Sequence, residues 1–558
     1  MGGMGFGFRT SFGWWDLILS VPMRIFPTIA LTVLLAACLA GCAGALRGPD
    51  AGGDPWTEVK TDHVTLYTDH DPETAVEIAV DLESSYRGIG QFSFSCAFER
   101  GVPPSVTAVV FEREADFESI KPPWMSSSTG GFYTQSDLFG LRPRSMIVYF
   151  GKANEKGKEV FQHELTHRLV HHCYPAAPIW LNEGLACVFE TARIEKESIV
   201  VGHGKYLFGD RWKAGGHGAE RYLVVPRDEL ISVGDMTRMT HRDFYGRGGE
   251  RFEDEAAVVR NYAESWALVH LLMFGDDDLA DTLGRYLISL RNGYGEFSSR
   301  LEDFADMDEL QQKFGSAVYR NAFDKFEAKI EKDEIGMWVR TMEWEETYLL
   351  WADLLPLTGE EGRARAKGYV EAALAENPDS ARARIFAAAL DAVTVRGDGA
   401  VVDSESLTKR LEKLVVEYPG DVEVLMGYAE YRLRGKPDPE LVAPLATVLG
   451  PLLESPSDAR GQELAARYHI LAGDPERAGA LLEKAIEDQP SYCNTYVTYA
   501  RLIAARGEIE RARGYLQAAL NLLPDGEKEN RQRLVKLMME LGRGAGEAGD
   551  DRGGAAGE

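Results

Sequence analysis

His163, Glu164 and His167 stand in the run His163-Glu164-Leu165-Thr166-His167, the spacing H-E-x-x-H. On a helix, residues four apart lie on one face, one turn apart, so both imidazoles can bind the same metal ion. The glutamate between them projects beside that pair, near a water on the metal. Such a pair suits hydrolysis, because a zinc ion acidifies its bound water and a neighbouring carboxylate can take the proton. Zinc in this role needs a third protein ligand and leaves a fourth position for water.

In the metzincin pattern the third ligand is a histidine or aspartate ten residues after the first histidine. Here that position is Cys173, and the intervening glycine position is Val170, so the chain departs from that pattern. The segment HELTHRLV, followed by Pro178-Ile179-Trp180-Leu181-Asn182-Glu183-Gly184-Leu185-Ala186, instead resembles the gluzincin metallopeptidases, in particular the peptidase MA-like domains of bacterial exported proteins. Their shared signature is H-E-x-x-H followed by W-L-x-E-G. The resemblance covers about residues 56–300 and is specific only over 160–190. It implies one Zn2+ per chain, held by His163, His167 and Glu183, with Glu164 as general base. Glu183 lies sixteen residues after His167. That distance leaves room for a helix turn, a proline-containing loop and a second helix starting near Trp180. His171 continues the row of histidines, but Glu183 is the better third ligand. The resemblance extends to Asn261–His270, where Tyr262 is the candidate catalytic donor to a developing oxyanion, although a tyrosine there also suits a core helix. His203, His217 and His241 fall in a Gly-rich polar region, about 202–250, expected to form a loop over the cleft. Glu190 and Asp243 are offered as partners of the ligand imidazoles, with nothing in the sequence to choose between them.

These residues need a scaffold. His63–Tyr67 alternates as a short strand. Asp71-Pro72 reads as an N-cap and first helical residue, followed by Ala75, Ile78, Ala79, Leu82 and Tyr86 at helical spacing. Val106–Phe111 and Met146–Phe150 read as buried strands, with a loop over Lys121–Gly131. The metal helix is expected from about Glu159 to His172. In the family it resembles, the strand edge that pairs with an extended peptide precedes that helix, which makes Met146–Phe150 the expected edge.

Residues 25–40 are apolar, follow Arg24, and end in Leu39-Ala40-Gly41-Cys42. The run is short for a membrane span. It resembles a bacterial lipoprotein signal, which implies cleavage before Cys42 and lipid attachment at that thiol. Met23-Arg24 would begin a compact signal of its own. Outside the cytoplasm disulfides are permitted. Cys96, Cys173, Cys187 and Cys493 allow three full pairings that sequence cannot separate. Cys173 and Cys187 bracket the motif segment and are the pair to expect, if the thiols are not simply buried.

From about Trp344 strand signals vanish, and prolines at 378, 419, 456, 490 and 524 close successive helical segments. The last two intervals are both 34 residues, the tetratricopeptide period. Ala466, Gly473, Ala478, Leu482, Ala485 and Pro490 recur as Ala500, Gly507, Ala512, Leu516, Ala519 and Pro524, while the spans ending at 419 and 456 carry insertions. This is similar to a degenerate tetratricopeptide array of four to five units, which presents a concave surface to a protein or peptide.

The expected organisation is therefore a lipoprotein signal over 1–41, a flexible tether over 42–55, a gluzincin-like domain over 56–340, tetratricopeptide-like repeats over 341–540 and a disordered tail over 541–558. The fold class is an α+β zincin-like metallopeptidase domain followed by an all-α helical solenoid. Lys+Arg number 61 against Asp+Glu 88 in 558 residues, a net charge of -27, which repels phosphate backbones and excludes nucleic acid as an expected partner. The expected function is a zinc metallopeptidase of the bacterial cell envelope, periplasmic or on the outer surface. Its membrane contact is the lipid on Cys42, its substrate a peptide or protein, and its repeats hold a protein partner. The alternatives are a repeat-based scaffold lipoprotein with a silent metallopeptidase-like domain, and a zinc hydrolase acting on a peptidoglycan cross-link.

Overall fold

Asp71 caps a helix through its carboxylate, which accepts from the backbone N–H of Glu73 and Thr74. With Pro72 at the first helical position, this starts α1 (Pro72–Ser93) where local chemistry requires it. The computed structural model describes residues 46–550 apart from 100–102, 123–124, 126–129, 137, 139–140, 142–143, 152–154, 196, 216–221, 246–254, 293–299, 332, 358, 397–398, 435–437 and 524–527. The signal run, Cys42 and His217 lie outside the described residues.

The first half is a mixed α/β unit. Its strands are β1 (Thr57–Lys60), β2 (Val64–Thr68), β3 (Val106–Phe111), β4 (Gly131–Ser136) and β5 (Arg144–Phe150). Further strands are β6 (Arg193–Ile194), β7 (Ser198–Val201), β8 (Tyr206–Gly209), β9 (Lys213–Gly215), β10 (Tyr222–Pro226), β11 (Phe326–Lys329) and β12 (Trp338–Thr341). The main sheet has the order β12-β1-β2-β3-β5-β4. Strands β2, β3 and β5 run parallel, and β4 returns antiparallel to β5. This corrects the expected peptide edge. Met146–Phe150 belongs to β5, which is flanked on both sides, while β4 and β12 are the end strands of the sheet. Gly131 and its polar neighbours Thr134, Gln135 and Ser136 concealed that strand from a reading by hydrophobic alternation. The region 202–250 is also more ordered than a loop, because β8, β10 and β9 form a small sheet there.

One face of the main sheet carries α1, α2 (Glu155–Cys173) and α3 (Ile179–Phe189), together with α4 (His241–Tyr245), α5 (Glu255–Phe274), α6 (Asp277–Asn292) and α7 (Met307–Arg320). Ala75, Ile78, Ala79, Leu82 and Tyr86 of α1 share a core with Phe161, Leu165 and Leu169 of α2 and Trp180 of α3. Glu83 locks α1 to the β1–β2 turn: it accepts from Thr61 Oγ1 at 2.7 Å, His63 Nδ1 at 2.7 Å and Arg87 Nε at 2.8 Å. A disulfide joins Cys96 to Cys173, the last residue of α2, so the expected Cys173–Cys187 pairing is wrong. Cys187 points into the core from α3, where Cys173 cannot meet it, and remains a buried thiol.

The second half is helical and repeated. Its helices are α8 (Trp344–Leu354), α9 (Glu360–Glu376), α10 (Ala381–Asp391), α11 (Ser404–Glu417), α12 (Val422–Arg432), α13 (Val442–Val448), α14 (Gly450–Glu454), α15 (Ala459–Leu471), α16 (Pro475–Asp488), α17 (Cys493–Ala505), α18 (Ile509–Leu522) and α19 (Lys528–Asp550). Pro378, Pro419, Pro456 and Pro490 each fall two residues after a helix end. After the first three, Ser380, Asp421 and Asp458 cap the next helix by accepting from the N–H three residues on. Strands do not vanish after Trp344: a hairpin, β13 (Val393–Arg396) with β14 (Gly399–Val402), fills the long interval between Pro378 and Pro419. Helix α19 spans Lys528–Asp550 and so enters the stretch 541–558 expected as a tail. The expected tether is partly held, since Leu46 packs against the solenoid-side core and Pro49–Ala51 form a 3-10 turn.

The two halves are not separate bodies. Trp56, Val109, Phe111, Phe132, Met146 and Val148, from the opposite face of the sheet, share one core with Leu349, Trp351, Phe386 and Leu425. Trp56 packs edge-on against both Phe111 and Trp351.

Closing the chain at Cys96 and Cys173 shortens the unfolded ensemble, so reducing it should lower stability by about 2–4 kcal/mol in denaturant titrations. Glu83 gives a second test. Burial alone would raise its carboxyl, but hydrogen bonds from His63, Thr61 and Arg87 hold it down to about 2. Its contribution is therefore present above the ordinary carboxylate range and is lost as pH falls toward 2. Glu83→Gln should destabilise the fold at pH 7 and differ least from wild type near pH 2, read from unfolding midpoints across that range.

Candidate metal centre

Helix α2 places His163 and His167 one turn apart, with ring centroids 4.7 Å apart. Glu164 stands between them in sequence and is half-buried. The short connection Tyr174–Pro178 turns the chain back into α3, whose every residue is buried. That return brings Glu183 under the two imidazoles. His163 Nε2 lies 3.5 Å from Glu183 Oε2, and His167 Nε2 lies 3.6 Å from Glu183 Oε1. The donor atoms of the three residues all fall within 4.8 Å of one another. Gly184 permits this approach, because a Cβ there would lie 2.6 Å from the Ser265 carbonyl oxygen of α5 and 2.5 Å from Val269.

The outer ring nitrogens are also held. Glu190 Oε2 lies 3.0 Å from His163 Nδ1. A carboxylate only accepts, so Nδ1 donates to Glu190, and Nε2 is the ring atom turned toward Glu183. Burial would raise the Glu190 carboxyl, but Lys205, 3.2 Å away, and His163 outweigh it and keep the group ionised. His167 Nδ1 is 2.9 Å from Asn182 Oδ1, while the Asn182 amide nitrogen faces His171 Nε2 at 3.3 Å. Burial, with His167 and Arg168 beside it, pushes His171 down to about 3, so it accepts as a neutral ring. His171 thus belongs to the site as a support.

Tyr245 on α4 donates to Glu183 Oε1 at 2.6 Å. Burial opposes ionisation of Glu183, but His167, His163 and the Tyr245 hydroxyl hold its carboxyl down to about 2. Its other oxygen, Oε2, is buried with no hydrogen-bond partner among the described residues. A buried carboxylate with one oxygen facing His163 and the other facing His167, and only the latter satisfied by a hydroxyl, is a donor set a cation would complete. Cys187 lies against His163 and Glu190, and burial pushes its thiol up to about 12.

The structure brings together His163, His167, Glu183 and Glu190. Asp243 accepts from the backbone N–H and hydroxyl of Thr240 at the start of α4. Tyr262 borders the site, its ring 6.5 Å from that of His163 and 6.4 Å from that of Tyr245. His203 uses its carbonyl oxygen to accept from Thr191. Sequence reading missed Asn182 and Tyr245. Asn182 carried a usable signal, since the residue before a ligand on a helix can face the neighbouring turn. Tyr245 carried none, because it approaches from a distant helix.

Residues 469–531 match the tetratricopeptide repeat family model. No curated protein matches the chain. A crystal structure of a tetratricopeptide repeat protein from Parabacteroides merdae is similar at 20% identity, covering 52% of this chain and 94% of that one, with a TM-score of 0.25. On the family match, the C-terminal region carries tetratricopeptide repeats, an architecture suited to holding a protein partner or serving as a scaffold. Gly473 and Gly507, at the turns within the last two units, take φ of 76° and 87°.

Glu190→Gln and Asn182→Ala should each weaken metal binding about ten- to a hundredfold, measured by competition with a chromogenic chelator.

Proposed function

We propose that this chain is a lipid-anchored zinc metallopeptidase of the bacterial cell envelope, with an α+β zincin-like domain of gluzincin type. The observation that carries the reading is the convergence of His163, His167 and Glu183, with Glu164 on the same helix. The 3.5 Å from His163 Nε2 to Glu183 Oε2 is close to the edge of about 3.4 Å expected for a tetrahedral nitrogen and oxygen set at zinc distances, and the donor atoms of all three residues fall within 4.8 Å of one another. Bound there, zinc would acidify a water and polarise a carbonyl.

The chain's own residues divide the remaining work. Glu190 and Asn182 fix the ring orientation and tautomer of the two histidines. Tyr245 holds one oxygen of Glu183, leaving the other for the cation. Glu164 takes a proton from the attacking water and delivers it to the leaving amine. Tyr262 borders the site as donor to the charge that develops on the scissile carbonyl oxygen. Strand β4 offers its open edge to an extended peptide. The repeats select or position the protein partner.

The envelope location rests on the lipoprotein-like run ending at Cys42, and a disulfide at Cys96–Cys173 is in keeping with an oxidising compartment. Among the described residues no helix is long and apolar enough to cross a membrane. The tetratricopeptide match also supports a second reading, a scaffold whose metallopeptidase-like domain is silent.

Metal content and peptide cleavage separate the two. The wild-type chain should hold one zinc and cleave unfolded protein. Glu183→Ala should lose the metal. Glu164→Ala should keep it and lose about a hundred- to ten-thousandfold in rate. Zinc bound with no cleavage of any denatured or native protein would favour the scaffold.

A further inference from the structure

Two leucines between β4 and β5 do not end in solvent. Leu138 and Leu141 are each 1% exposed and belong to the core shared with the solenoid. Leu141 reaches α12, where a Cβ on Gly427 would stand only 3.2 Å from its Cδ2, so the glycine makes the seat. Arg460, on α15, donates through Nη2 to the Leu141 carbonyl oxygen at 2.5 Å. Helices α10, α12, α15 and α17 are the first helices of successive units and pack on one another in series, forming the inner layer of the solenoid. Leu141 is therefore held by two helices of the layer with which such arrays engage ligands.

A second observation concerns the backbone. Leu138 has φ of 40°, in the left-handed region that leucine avoids. A non-glycine residue stays there only where its surroundings over-determine it. Burial of Leu138 and the Leu141 N–H donating to the Leu138 carbonyl oxygen at 3.2 Å supply that constraint.

Strand β4 runs toward Leu138 and Leu141, and β5 leads from them to the metal helix. Phe132 faces the solenoid-side core, while Tyr133, on the opposite face, packs against the core that includes α2. At the other end of the strand, a Cβ on Gly131 would lie 3.0 Å from Val160 Cγ1 of α2. The strand thus has the solenoid-side core beyond one end and rests at the other against the helix that carries Glu164.

We propose that Leu141 and Arg460 are positioning residues, through which the repeats set the edge strand β4 against the catalytic helix. The repeat array then acts on peptide binding through Leu141, and not only by holding a partner elsewhere. This inference rests on the peptidase reading for its kinetic consequence, but its mechanical part stands apart from that reading.

The test compares wild type, Arg460→Ala, Arg460→Lys and Leu141→Ser in the full chain. Amide hydrogen exchange over 131–136 is read against the interior strand 64–68, alongside zinc content and the kinetics of cleavage of an unfolded protein. Loss of one charge-assisted bond should speed exchange in β4 about tenfold in Arg460→Ala. Exchange in β2 and the zinc content should not change. KM should rise by a similar factor with kcat within about twofold, since the loss falls on peptide binding and not on the chemical step. Arg460→Lys should recover part of both effects. Unchanged β4 exchange in Arg460→Ala would overturn the proposal, as would a loss confined to kcat. If Leu141→Ser fails to fold, Arg460→Ala alone decides. If wild type cleaves nothing, the peptidase reading fails, and β4 exchange still decides whether the solenoid clamps the strand.

Discussion

Burial of the Glu183 carboxylate is the constraint around which the first half of the molecule is built. A charged group removed from water is costly unless opposite charge or donors surround it. Two imidazole nitrogens and the Tyr245 hydroxyl face it, from two helices remote from its own in sequence or in direction. Helices α2 and α3 must therefore meet at close range and stay there. Gly184 lets α5 press on α3 from behind, and the disulfide at Cys173 pins the end of α2. Gln162, on the same helix, donates to the Ala192 carbonyl oxygen and ties α2 to the segment beyond α3. Each of these contacts acts on the spacing of two helices, and that spacing decides whether three donors can share one ion.

The main sheet transmits this arrangement to the rest of the chain. Its two faces bury different partners: the site helices on one side and the first solenoid helices on the other. A strand in such a sheet cannot move toward one layer without disturbing the other, since interiors pack densely and transmit strain. In β4, as in β3 and β5, alternation of side chains turns one face to the solenoid and the other to the site helices: Phe132 to the former, Tyr133 to the latter. The last repeats form a core of their own, around Tyr496, Ala500, Leu516 and Ala519. The array thus has a docked beginning and a self-contained end. A partner-holding role falls naturally to that end, where the family match lies.

Local periodicity made much of this molecule legible in the sequence. The i,i+4 histidines, the Asp71-Pro72 helix start, the helix carrying Glu183 and the proline-delimited repeats all follow from backbone geometry within a turn or two of chain. The same local rules pair the two histidines on one helix face, whereas Glu183 was named only by the resemblance to the gluzincin signature. Glu190 was one of two candidates, and only the fold chose it over Asp243. Asn182, His171 and Tyr245 became part of the site through approach of separate elements. The pairing of Cys96 with Cys173, the place of β4 at one end of the sheet, and the seating of Leu141 in the solenoid were decided by tertiary structure alone. The physical reason is one of range. Hydrogen-bond periodicity and capping are written within a few residues, whereas which faces bury each other depends on the joint packing of elements that may lie 300 residues apart, as Leu141 and Arg460 do.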